Sequence, residues 1–165
     1  MNEGETREPE FPAELIEEEK EEPDKEVFQS LYQKIMEMGV GEKIKLATIG
    51  NREARNLLLK DSNKIVLAAV INSPRNTEED IIKICQSRNM SNEVLRLIAA
   101  KKELTKNYKV KIGLVSNPKT PVPISLKLLS YITEADLRNI AKNKNISTVV
   151  SHGARKILED RGKFN

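Results

Sequence analysis

The sequence is poor in the residues that most often carry chemistry. It has one cysteine, one histidine and no tryptophan. With Cys85 alone, neither an intramolecular disulfide nor a cysteine-based metal cluster can form. Cys85 closes the apolar stretch "IIKIC" and reads as a buried, inert thiol. His152 has no nucleophile and no orienting carboxylate near it in the sequence, so a general-base role lacks its partners. It reads as a helix-surface residue between Ser151 and Gly153. The seven glycines are scattered and form neither a Walker-type loop nor G-x-G-x-x-G. The acids of "TEED", residues 77–80, suit a helix start through capping and the helix dipole, without a metal. Three Tyr and three Phe leave the core to Leu, Ile, Val and Ala. No apolar run is long enough to span a bilayer, and residues 1–26 lack the apolar centre of a signal peptide. The expectation is a non-enzymatic, cytoplasmic protein with no catalytic residues, metal, small-molecule cofactor or membrane contact.

Charge is present in quantity and unevenly divided. Residues 1–26 hold twelve acids and three bases, whereas residues 27–165 hold thirteen acids and twenty-five bases. This sets residues 1–26 apart as an acidic, disordered tail and residues 27–165 as the folded domain. The tail is either a solvated solubiliser or a segment that folds back over a basic surface. Within it, "AELIEEEKEE" after Pro12 has only Leu15 and Ile16 to pack, enough for a short fraying helix.

Beyond the tail the signals are helical. Pro23 and Asp24 mark a start. Val27, Phe28, Leu31, Ile35 and Met38 follow near helical spacing until Gly39 and Gly41. Further on, "LVSNPKTPVPISLKLL" reads as stop, corner, start. Pro118 moves Asn117 out of the α region. Thr120 is suited to cap the next helix, and Pro121 to its first position. Similar corners stand at Gly50-Asn51-Arg52, at Asn72-Ser73-Pro74-Arg75 before Thr77 and Asp80, at Ser87-Arg88-Asn89 before Ser91, and at Asn143-Lys144-Asn145 before Ser147. Five loosely periodic corners predict an array of stacked units.

A parallel α/β sheet is the rival, because Tyr108, Val110, Ile112 and Leu114 alternate and "NKIVLAAVIN" looks strand-like. Several units are too short for βαβ, and Lys45, Lys109 and Lys111 suit no strand buried on both faces. The prediction is all-α: an irregular α-solenoid of short helices that gain a shared interior by stacking, with capping helices near 27–38 and 147–161. The expected core is Leu57, Leu58, Leu67, Val70, Ile81, Ile84, Leu95, Ile98, Leu114, Leu126, Leu129, Ile140, Val150 and Ile157.

The segments "VKIGLVSNPKTPVPISLKLL" and "LRNIAKNKNISTVVSHGARKIL" resemble the leucine-rich repeat variant, whose units read V-R-x-x-V-A-x-N-P-x-T-P before a short Leu-rich helix. Val110-Lys111 match the first step, Asn117-Pro118-Lys119-Thr120-Pro121 the corner, and Leu137-Arg138 with Asn143 a second copy. The resemblance is best over residues 108–158. More broadly the chain resembles bacterial HEAT-like α-solenoids. Some members with this repeat carry a cysteine cluster for an iron–sulfur centre, which one cysteine cannot supply. The resemblance implies an extended surface that binds a partner and names no reaction.

Each corner also carries a base: Arg52, Arg75, Arg88, Lys119 and Lys144. A cation past a helix C-terminus is favoured by the dipole alone. In a stacked array the five would also line one edge. That edge is the expected binding site, for a protein partner first. The alternative is nucleic acid, on a basic surface masked by the acidic tail, although few aromatics are present to stack on single strands.

Overall fold

The computed structural model describes residues 10–18 and 24–162. Among them are eleven short α-helices, one 3₁₀ turn and no strand. The α/β alternative is therefore excluded for these residues: Tyr108, Val110, Ile112 and Leu114, which alternate like a strand, lie in helix α8 (Tyr108–Ser116). The chain divides into two units, residues 1–76 and 77–165. The division falls just before Thr77, inside one of the predicted corners.

The first unit holds α1 (Lys25–Glu37), α2 (Val40–Ile49), α3 (Arg52–Leu58) and α4 (Lys64–Ile71). Asp24 starts α1 as the sequence predicts, its carboxylate accepting from the N–H groups of Glu26 and Val27 at 3.0 Å. Leu31 and Ile35 are the residues α1 buries, four apart on one face. Helix α2 packs on α3 and α4, and α3 on α1 and α4. Lys43 on α2 meets Asp61, between α3 and α4, at 2.7 Å with both side chains largely buried. Burial alone would push the Asp61 carboxyl up. The Lys43 ammonium and the N–H groups of Asn63 and Ser62 outweigh it and hold the carboxyl below its usual range.

Of the segment expected to be a disordered tail, residues 10–18 and 24–26 are described. Residues 1–9 and 19–23 lie outside the described residues. Residues 10–18 follow a defined path: Ala13–Leu15 form a 3₁₀ turn after Pro12, and Phe11 and Leu15 are buried. Charge composition suggested solvation here, but two apolar side chains outweigh it locally. Fully burying a side chain of this kind contributes about 1.5–3 kcal/mol.

The second unit holds α5 (Glu78–Gln86), α6 (Asn92–Ala99), α7 (Lys102–Thr105), α8, α9 (Val122–Leu129), α10 (Glu134–Lys142) and α11 (Thr148–Asp160). Three of its turns are nearly identical. Ser87, Asn117 and Asn143 end α5, α8 and α10 with φ/ψ of −74/122, −89/121 and −75/117. Each donates its N–H three residues back, to Ile84, Leu114 and Ile140. Four residues after each stands the N-cap of the following helix: Ser91, Pro121 and Ser147. The cap expected at Thr120 is thus displaced by one residue. The Thr120 N–H is drawn into the turn by the Asn117 carbonyl at 3.1 Å, and Pro121 takes the cap position.

The three turns join α5 to α6, α8 to α9 and α10 to α11. Helix α8 packs on α5 and α9, and α11 on α9 and α10. Glycine permits two of these approaches: a Cβ on Gly113 would lie 3.0 Å from the Cβ of Cys85, and one on Gly153 would lie 3.0 Å from a methyl of Leu126. Tyr108 ties the start of α8 to the start of α10, its hydroxyl meeting Asp136 at 2.5 Å and Thr133 at 3.2 Å. Of the expected core, all are buried except Leu126, which is exposed, and Ile157, which is half-buried.

Candidate functional site

The five corner bases do not share one setting. Arg52 and Arg75 belong to the first unit, and Arg88, Lys119 and Lys144 to the second. Arg52 opens α3, directly after its N-cap Asn51, so no separate turn precedes it and it stands at the positive end of a helix. Arg75 is half-buried. One guanidinium nitrogen donates to the carbonyls of Ile16 and Ile49 at 2.7 Å each, and the other meets Glu18 at 3.1 Å. Arg88, Lys119 and Lys144 lie on the three matching turns, and all three are exposed. Arg88 and Lys144 take the first position after the C-cap and Lys119 the second.

The asparagines of the same corners do more for the structure than the bases. Asn117 is 5% exposed, and its amide donates to the carbonyls of Cys85 at 2.7 Å and Ser87 at 2.9 Å. Its side-chain oxygen accepts from the N–H of Lys119 at 2.9 Å. One side chain therefore holds its own turn and joins it to the end of α5, where carbonyls lack helical partners. Asn51 acts similarly in the first unit. Its amide donates to the carbonyls of Glu14 and Glu17 at 2.7 Å each, while its oxygen caps α3 through the N–H of Ala54 at 2.9 Å. Sequence pattern identifies these asparagines as helix stops but gives no sign of their long-range donors.

Nor does it reveal a basic cleft in the second unit. An open cavity of about 640 Å³ is lined by Arg96, Lys102, Lys106, Lys111 and Lys127 and by no acid. Ala99, Ala100, Ile124 and Leu128 supply its apolar surface, with Thr105 and Tyr131. Tyr131 is 62% exposed. The Lys111 ammonium stands 5.5 Å from its ring centroid, within cation–π range. The sequence signal was the run "KKELTKNYKVK", residues 101–111, with five lysines against one glutamate. The cleft also depends on α9, more than ten residues further along, which no local pattern links to that run.

His152 is exposed on α11. Cys85 is fully buried, and burial pushes its thiol up to about 12. Among the described residues no group of three or more His, Cys, Asp or Glu could hold a metal ion, and no helix is long and apolar enough to cross a membrane. Compared with known proteins, the chain matches no family model, no curated protein and no solved structure.

Proposed function

We propose that the chain is a non-catalytic helical-repeat scaffold of the leucine-rich-repeat-variant or HEAT-like kind, and that it binds an acidic protein partner. The joining of α5 to α6, α8 to α9 and α10 to α11 through matching turns supports the repeat reading. So does the packing of α8 on α5 and of α11 on α9, which sets one pair beside the next. The observation that carries the binding role is that Arg88, Lys119 and Lys144 reach solvent on turns built without their side chains. Backbone N–H groups close the turns, and Asn117 and Asn143 brace two of them through side-chain oxygens. The three cations are thus left for a partner. Affinity capture with the full chain, beside an Arg88→Glu, Lys119→Glu, Lys144→Glu variant, tests the reading. The expected result is a partner held by the first and released by the second, with equal helicity. Equal capture by both would overturn it.

A second reading, nucleic-acid binding on a basic surface masked by the acidic segment, is favoured by one observation. Glu10 pairs with Lys45 at 2.8 Å and Glu18 with Arg75 at 3.1 Å, so the described part of that segment does engage bases of the first unit.

A further inference from the structure

We propose that the basic cleft of the second unit is a binding site for single-stranded nucleic acid, with phosphates on its lysines and a base stacked on Tyr131. The lining has the two chemistries that such a strand requires. Arg96 lies on α6, Lys102 and Lys106 on and just after α7, Lys111 on α8 and Lys127 on α9, so four elements converge their charge on one concavity. Lys102, Lys106, Lys111 and Lys127 have no carboxylate partner among the described residues. Of the five, Arg96 is the one paired with an acid among the described residues, with Glu93 at 3.9 Å. Mutually repelling cations around one cleft, unneutralised by the protein, call for an anionic ligand.

The apolar part decides which anion. An acidic peptide needs cations but no exposed aromatic plane beside them. A strand alternates charged backbone with flat, apolar-faced bases, and Tyr131, Leu128 and Ile124 offer flat and apolar surface among the cations. A duplex keeps its base faces stacked inside and cannot use Tyr131 in this way. The cavity of about 640 Å³ falls within the usual range for small-ligand sites, about 300–1,000 Å³, and its open mouth lets a chain continue past it. The second unit as a whole carries seventeen bases and nine acids, which favours approach of a polyanion from a distance.

This inference is independent of the corner edge, and the test keeps the two apart. Fluorescence anisotropy of labelled strands about a dozen nucleotides long, one DNA and one RNA of mixed sequence, is read with the full chain across a salt series. Binding should weaken log-linearly with salt. Tyr131→Ala should weaken it about tenfold or more, as removal of one stacking platform does, whereas Tyr131→Trp should preserve it. Lys106→Gln with Lys127→Gln should lower the salt slope by roughly 1.4, at about 0.7 for each phosphate no longer neutralised. Arg88→Gln, Lys119→Gln, Lys144→Gln should leave both affinity and slope nearly unchanged. The proposal is overturned if neither strand binds at low salt, if Tyr131→Ala binds as the parent does, or if the corner variant is weakened as much as the cleft variant. It is equally overturned if polyglutamate displaces the strand as well as unlabelled strand does, since the cleft would then be a site for acidic protein.

Discussion

Asn117 shows how much one side chain can decide. Its amide is the donor for two carbonyls at the end of α5, and it is buried where water cannot replace it. Replacing it by Ala leaves those acceptors unpaired, which costs about 1–3 kcal/mol for each buried group. Asn117→Ala is expected to lower unfolding stability by roughly 2–4 kcal/mol, read from urea titration. Asn117→Asp should do no better, because a carboxylate cannot donate. Cys85 gives a second expectation at this scale. With its thiol raised from 9.0 to about 12 in the folded state, the unfolded chain releases its proton first as pH rises. Stability should therefore decline from about pH 9 toward pH 12, and the decline should be shallower in Cys85→Ala. Near neutral pH a thiol reagent should label Cys85 only as fast as the protein opens.

At the scale of elements, helix starts were legible because caps are local. Asp24, Thr77, Ser91 and Ser147 all cap as the sequence indicates, and Thr77 and Asp80 form a reciprocal capping box at 3.0 and 3.1 Å. The buried face of most helices was legible for the same reason: apolar spacing is a local property. Corners were less so. Gly50 and Asn51 look like the others in sequence, yet α3 begins at once and no turn forms. Asn72 ends α4 in helical conformation, so the turn begins at Ser73 and not at the asparagine. The basic cleft was not legible, since it depends on which helices meet. The approach of α8 to α5 depends likewise on Gly113, a residue composition alone leaves unexplained. Gly113→Val should force α8 away from α5, because the approach to Cys85 is already at its limit. Overpacking of this kind costs about 1–3 kcal/mol, visible as a lowered thermal midpoint with helicity retained below it. Gly113→Ala should cost less, since better helix propensity offsets about 1 kcal/mol.

At the scale of the whole molecule, residues 10–18 of the acidic segment are where composition was least informative. Its net charge speaks for solvent, while Phe11, Leu15 and the carbonyls of residues 14, 16 and 17 join it to the first unit. Asn51 also donates its backbone N–H to Leu15 at 2.7 Å, which provides a probe. Arg75→Ala removes two bonds to carbonyls and the pair with Glu18. Hydrogen exchange at the Asn51 amide should then quicken by about thirtyfold, for a decrease of roughly 2 kcal/mol in local stability. An unchanged rate would mean that Asn51 and the apolar residues hold the segment without help from Arg75.

The amide of Asn51 holds two carbonyls of residues 14 and 17, as that of Asn117 holds two of residues 85 and 87. The acidic segment therefore sits where the end of another helix could otherwise be received. Any free competitor for that seat, a second molecule included, must displace a rival that is covalently leashed to it. Such a rival acts at an effective concentration on the order of millimolar. Weak strangers are turned away without any clash being built against them.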